Sequence, residues 1–375
     1  MQHNGAILRT SALGLALALL VVGMLSASAV LATPIASGNG AAAGSVYTTT
    51  NDATANAILW YTRAANGGLA LAGSFPTGGA GTGAGLGSQG AVVLAEDGSV
   101  LLAVNAGSNQ LSSFQVSASG LTWVTNVASG GTTPISIAVH DNLVYVVNGG
   151  AGGSISGFWL TSGGVLTPIA GSTRALSAGA VPAQVSFDPT GQVLVVTEKA
   201  TSLIDTFTVD ANGIASGVTS YASSGATPFG FAFDNKGHLI VSEAAVAALS
   251  SYAVSPAGVV TTISGSVVDG QGAACWVVIT NNGKFAYTSN AHDPFNDISS
   301  YAVGTDGTLT LLQVNAASPG LGPTDLAMSG NTHFFYVLAS RGHAITGYAV
   351  GADGSLTQVT MAGGLAASDV GLAAM

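Results

Sequence analysis

The stretch Leu111-Ser112-Ser113-Phe114-Gln115-Val116 decides how this chain is read, because it recurs. It returns as Ile155-Ser156-Gly157-Phe158, Ile204-Asp205-Thr206-Phe207, Leu249-Ser250-Ser251-Tyr252, Ile298-Ser299-Ser300-Tyr301 and Ile345-Thr346-Gly347-Tyr348, with an earlier copy at Ile58-Leu59-Trp60-Tyr61. The aromatic anchors Tyr61, Phe114, Phe158, Phe207, Tyr252, Tyr301 and Tyr348 are separated by 53, 44, 49, 45, 49 and 47 residues. A period of this length, with several short strands in each copy, marks a sheet repeated around an axis. Seven copies predict an all-β, seven-bladed β-propeller.

Working outward from the anchor, each unit reads as four strands, A to D. Strand A often follows a proline (Pro134, Pro182, Pro228, Pro323), and a tight turn such as Asp97-Gly98 or Asn282-Gly283 leads to an apolar strand B. Strand C carries the anchor, and turns such as Asp306-Gly307 and Asp353-Gly354 lead to strand D. Asn-Gly and Asp-Gly tolerate the positive φ that tight hairpins need. The first unit begins at strand B, Val46-Tyr47-Thr48, and lacks a strand A of its own. The last unit is followed by Asp369-Val370-Gly371-Leu372-Ala373-Ala374, which matches the strand-A register of Pro323–Met328. The C-terminal strand is therefore expected to complete the first blade and leave no open sheet edge there. The propeller then spans residues 44–375 as one domain, expected to be monomeric.

Residues 1–32 hold one cation, Arg9, then an apolar run from Ala12 to Leu25 and small-residue exits at Ala27-Ser28-Ala29 and Val30-Leu31-Ala32. That order reads as a secretory signal peptide, followed by a flexible segment over 33–43. The expectation is a secreted, periplasmic or cell-envelope protein, off the membrane once the signal is cleaved. Of 375 residues only 7 are Lys or Arg against 17 Asp or Glu, a net charge of −10. So few cations exclude nucleic acid as a partner, since phosphate backbones are bound by clustered Lys and Arg. A single cysteine, Cys275, excludes an internal disulfide and a Cys-based zinc site; it reads as a buried apolar residue. The tract Gly78–Gly85 lacks the Lys-Ser/Thr of a phosphate loop and reads as a flexible D–A connector.

Blade topology sorts the polar residues by face. The A–B and C–D turns lie on one face, where His140, His238, Lys236 and Lys284 read as solvated turn residues. The B–C loops and D–A connectors lie on the other. There a ring is read at the end of strand B: Asn51, Asn105, Asn148, Glu198, Glu243, Asn290 and Ala339. The asparagines suit local backbone capping. Glu198 and Glu243, on adjacent blades, would do acid–base work if they converge on a water-filled funnel. With Asn148 and Asn290 they would alternatively offer oxygen ligands to Ca²⁺; otherwise no cofactor is expected. His292, in the longest B–C loop, is a natural general base near neutrality. Lys199, Arg341 and His343 complete the set. Glu243 and His292 are thus the candidate catalytic residues, and Glu198, Lys199, Asn290, Arg341 and His343 the candidate substrate-binding residues.

The units from Phe187, FDPTGQVLVVTEKATSLIDTFTVDANG, and from Ile279, ITNNGKFAYTSNAHDPFNDISSYAVGTDGTL, resemble the lactonase family of seven-bladed propellers, which includes 6-phosphogluconolactonase and 3-carboxymuconate-cyclising enzymes. The likeness spans nearly the whole chain after residue 32. It implies hydrolysis of a lactone or sugar-derived ester and matches Glu243 to a family acid. The family's Pro-Arg-His run before strand A of blade five stands here as Thr227-Pro228-Phe229-Gly230, and its His before strand A of blade four as Val181-Pro182-Ala183. A phosphorylated substrate needs cations that this face scarcely has, so an uncharged or weakly charged lactone is expected. The other expectations are a non-catalytic propeller that binds a glycan or protein, favoured by the missing Arg and His, and a Ca²⁺-dependent lactonase.

Overall fold

The computed structural model describes residues 42–375; the segment read as a signal peptide, and nearly all of the segment read as flexible, lie outside them. Twenty-nine strands form seven sheets and no helix is present among the described residues. In each blade the strands run from the axis outward. Blade 1 is Val370–Ala374, Gly44–Thr49, Ala57–Arg63 and Leu69–Pro76. Its closure comes from antiparallel pairing of Val46 with Ala374, Tyr47 with Ala373 and Thr48 with Leu372. Blade 2 is Val92–Leu94, Val100–Asn105, Gln110–Ser117 and Gly120–Ala128. Blade 3 is Pro134–His140, Leu143–Asn148, Ser154–Leu160 and an outer strand in two pieces, Leu166–Pro168 and Arg174–Ala175. The inner two strands of blades 4 to 7 are Pro182–Phe187 and Val193–Glu198, Pro228–Phe233 and His238–Glu243, Ala274–Ile279 and Phe285–Asn290, and Pro323–Met328 and Phe334–Ala339.

The strand-B runs are apolar on both faces because a neighbouring blade covers each side. Val100–Asn105, Leu143–Asn148 and Val193–Glu198 are buried at every position. The core divides into seven clusters, one at each blade junction, and each holds one aromatic anchor. Phe207, for example, packs with Tyr145, Phe187 and Leu194 between blades 3 and 4. The repeat that gave the blade count is therefore the repeat of the inter-blade core. Cys275 is buried, with its thiol pushed up to about 12 by desolvation, as an inert core residue should be.

Candidate functional site

The strand-B ring exists, but it does not face the axis. Asn105, Asn148, Glu198 and Glu243 each lie under the D–A connector that enters their blade and clasp it, while Asn290 bonds strand C of its own blade. Asn105 accepts from Thr77 Oγ1 at 2.6 Å and donates to Ser112 Oγ at 2.7 Å. Asn148 donates to Ser129 O at 3.5 Å, and a Cβ on Gly131 would meet its amide at 2.6 Å. Glu198 accepts from the backbone N–H of Ser177 at 3.0 Å, from Ser177 Oγ and from Thr201 Oγ1 at 2.5 Å. Glu243 accepts from Gly225 N at 2.6 Å, Ser250 Oγ at 2.6 Å, Ser223 Oγ at 3.2 Å and Ser266 Oγ. Asn290 donates to Asp297 Oδ1 and Ser299 Oγ, both at 2.8 Å. Blade 7 has Ala339 here and no side-chain clasp. In blade 1 the register gives the position to Thr50, whose N–H bonds Ala57 O, and not to Asn51. Asn51 stands one residue on, at φ 46°, and holds the Gly78–Gly85 tract through Thr82 and Ala84.

This overturns the expectation that Glu198 and Glu243 converge on a funnel. Both are 0% exposed, and their oxygens are committed to donors of the connector, the B–C loop and strands C and D. A buried carboxylate that has lost water needs such donors, and here those donors are the connector itself. Glu243 therefore lacks the access to water that a general base needs. Nor do Glu198, Glu243, Asn148 and Asn290 form one Ca²⁺ shell, since each has its own separate set of partners. Among the described residues no three His, Cys, Asp or Glu side chains are placed to hold a metal ion. The glycine-rich tract is likewise not slack. Gly79 lies against Asn105, and Gly81 so close to the backbone of Asn51 that no Cβ fits.

Beyond that tract the chain turns into the axis, and Gly87-Ser88-Gln89 plugs it. Lys199 Nζ donates to Gly87 O at 2.5 Å, Ser88 Oγ to Ile135 O at 2.8 Å, and Trp276 Nε1 to Ser88 O at 2.9 Å. Gln89 reaches from blade 2 across to blade 6, where its amide bonds Val277 O at 2.8 Å and Val277 N at 3.0 Å. In blade 4 the equivalent duty falls to Gln184, which bonds both backbone groups of Phe231 in the next blade. Blade 5 has Gly230 at that register. A Cβ there would collide with Gln89 Oε1 and with the backbone of Cys275 and Trp276, so the missing side chain makes room for the plug and for the strand it crosses to. Gly230→Ala should cost about 1–3 kcal/mol by overpacking, and Gln89→Ala about 1–3 kcal/mol by leaving buried backbone groups unpaired. Because both act on one contact, their effects on urea unfolding should be non-additive in a double-mutant cycle; simple addition would show that the plug does not depend on Gly230.

Lys199 is half-buried, 4.8 Å over the Phe229 ring, and desolvation pulls its pKa down. It is thus engaged by the plug and not free in solution. Arg341 pairs in two-pronged fashion with Asp293, at 2.9 and 3.0 Å, and bonds Asn296 Oδ1 at 3.0 Å. Those bonds hold the Asp293 carboxyl down at about 2. The His292 loop consequently reaches sideways to blade 7 and to Gly272, with His292 exposed and sharing no hydrogen bond with Glu243. His343, also exposed, sits two residues from Arg341 with Nδ1 at 3.0 Å from Leu365 O. A carbonyl can only accept, so in the neutral imidazole Nδ1 carries the proton and Nε2 keeps its lone pair. Asp369, on the same connector as Leu365, is buried and raised to about 7 by desolvation, and neither of its carboxyl oxygens has a hydrogen-bond partner among the described residues. The structure thus brings together Arg341, Asp293 and Asn296 on the blade 6 side of the loop, whereas His343 turns to the connector that enters blade 1, and neither glutamate joins them.

Sequence reasoning passed over the opposite face, where the strand-A ends surround an axial cavity of about 570 Å³. His140 lines it, with Nδ1 3.1 Å from Glu96 Oε1. His238, paired to buried Asp234 at 2.8 Å, does not line it. The signal available was His140 at the very end of a strand A, one residue before its turn.

None of the curated proteins matches the sequence. Among solved structures, a protein from Lactobacillus plantarum superposes with a TM-score of 0.74 at 19% identity, covering 88% of this chain and 99% of that one. The periplasmic gluconolactonase of Pseudomonas aeruginosa gives 0.73 at 16% identity, with 88% and 99% covered. A proposed 6-phosphogluconolactonase from Bacteroides fragilis gives 0.69 at 18%, with 88% and 98% covered. At these identities the likeness establishes the fold. The family model described as lactonase, 7-bladed β-propeller, matches residues 46–153 and 242–364, more than half of the sequence. With the ring closure and the seven junction clusters, that match places the chain in the lactonase family of seven-bladed β-propellers.

Proposed function

We propose that this propeller hydrolyses an uncharged or weakly charged lactone on the face of its B–C loops, with His343 as the base that activates water and Arg341 as the group that orients the substrate. The observation that carries the reading is the fixed imidazole: Leu365 O holds Nδ1, which leaves Nε2 to take a proton two residues from a guanidinium already oriented by Asp293 and Asn296. Family membership supports lactone chemistry, and the gluconolactonase and 6-phosphogluconolactonase names of structural neighbours point the same way. Plugging of the axis confines a substrate to the rim around the B–C loop of blade 7, which carries both residues, and the cation count argues against a phosphorylated one. The N-terminal segment supports export; the mature N-terminus of the secreted protein would test it.

The test is a lactone panel assayed with and without chelator. His343→Gln should lower kcat by about 100-fold or more, the usual weight of a general base, and leave the melting temperature unchanged. Glu243→Gln should lower stability and activity together. Turnover that survives in folded His343→Gln would refute the assignment. Chelator-sensitive turnover would favour the Ca²⁺-dependent reading. A complete lack of turnover would favour a non-catalytic propeller that binds a glycan or protein, the reading supported by the burial of Glu198 and Glu243.

A further inference from the structure

We propose that the axial cavity on the A–B face is a second ligand site, built for a small organic cation with an apolar body, such as a substituted ammonium ion. The cavity holds about 570 Å³, within the range of small-molecule pockets. Its wall combines the half-buried apolar side chains of Val139, Phe233, Ile279 and Met328 with strand-A backbone and polar side chains, His140 and Ser186 among them. At its floor the Gln89 and Gln184 amides are turned to the backbone of Val277 and Phe231. The floor is also the plug, so the cavity is blind and separate from the opposite face.

Charge at the entrance has one sign. Glu96 and Asp188 line the cavity, no Lys or Arg does, and Asp97 and Asp141 flank the Glu96–His140 pair. Asp188 is spent on its own turn, bonding Thr190, Gln192 and Val193. Glu96 is 54% exposed at its side chain, with His140 as its one close partner. On the same face Lys236 turns to Thr305 O and neither it nor Lys284 lines the cavity. An anion entering here meets carboxylates, with His140 turned to Glu96 and the Ser186 hydroxyl to Phe187 O, whereas a cation gains the carboxylate field and places its alkyl or aryl part on Phe233 and Met328.

The experiment titrates the full chain, carrying ¹³C-methyl methionine, with benzyltrimethylammonium, benzyl alcohol and phenylacetate. The Met328 signal is assigned by its loss in Met328→Leu. The cation should shift that signal saturably and bind at least 10-fold more tightly than phenylacetate, with benzyl alcohol between them. Glu96→Gln, an exposed and fold-neutral change, should weaken the cation several-fold and leave benzyl alcohol unchanged. Equal binding of anion and cation, an unmoved Met328 signal, or unchanged cation affinity in Glu96→Gln would each overturn the proposal. Lactone turnover is not the readout, so these results stand apart from those for the opposite face.

Discussion

A chain ended at Ser368 should fail to fold into a soluble, cooperatively melting protein. The removed strand Val370–Ala374 closes the ring on Gly44–Thr49; Leu372 and Ala373 are buried in the junctions that blade 1 makes with blades 7 and 2, and Val370 packs on the cluster between blades 2 and 3. Large apolar side chains such as Val370 and Leu372 are worth about 1.5–3 kcal/mol each when buried. Loss of the ladder bonds and exposure of Val46, Tyr47 and Val92 add to that. A net stability of about 5–15 kcal/mol does not absorb such a loss, and the bared edge of Gly44–Thr49 invites aggregation. Residue 375 lies beside Ser45, bonded to it in both directions. Moving residues 366–375 ahead of Ser45 through a two-residue Asn-Gly link should therefore restore folding. Melting of the truncated and permuted chains, followed by circular dichroism and light scattering, checks both; a truncated chain that melts like the full one would refute circular closure as the source of stability.

The second large effect is one of pH. Glu198 and Asp205 lie side by side in blade 4, both fully buried. Desolvation, helped by its carboxyl neighbour, raises Asp205 to about 7, and neither of its oxygens has a hydrogen-bond partner among the described residues; Glu198 is held down by its neighbour and by the hydrogen bonds of Ser177 and Thr201, which outweigh its burial. The pair thus keeps one proton near neutrality. In the unfolded chain Asp205 would release that proton near pH 3.9. Between about 4 and 7 the folded state binds more protons than the unfolded, so stability falls as pH rises through that window and is full below it. Asp369, also raised to about 7, adds a slope of the same sign. The melting temperature should therefore drop by several degrees from pH 5 to pH 8. Asp205→Asn should flatten the profile and melt several degrees above the unmodified protein at pH 8. A melting temperature that rises from pH 5 to pH 8, or an Asp205→Asn protein less stable at pH 8, would refute the shared proton.

The clasps explain why the blade count was legible in the sequence while the site was not. Phe114, Phe207 and Tyr301 recur because every junction presents the same geometry, so the requirement is local and repeats with the chain. The polar residues ending strand B also recur, and the sequence marks them equally well. Which way they point depends on the connector arriving from the preceding blade: Thr77 for Asn105, Ser177 for Glu198, Gly225 for Glu243. A regular ring of polar residues is thus produced by a regular structural demand, and Glu243 matched a family acid without facing solvent. Arg341 and His343 were named from the sequence, but the partners Asp293 and Leu365 that orient them come from another loop and another connector.

Repetition alone determined the all-β class, the seven blades and the borrowed first strand, because a strand buried on both faces must be apolar wherever it recurs. Only tertiary structure decided that Gln89 crosses to blade 6 in the space left by Gly230, that two glutamates are covered by connectors, and that a cavity opens on the turn face. Each of these depends on side chains from distant blades competing for the same few ångströms around one axis, and no periodicity along the chain records the outcome.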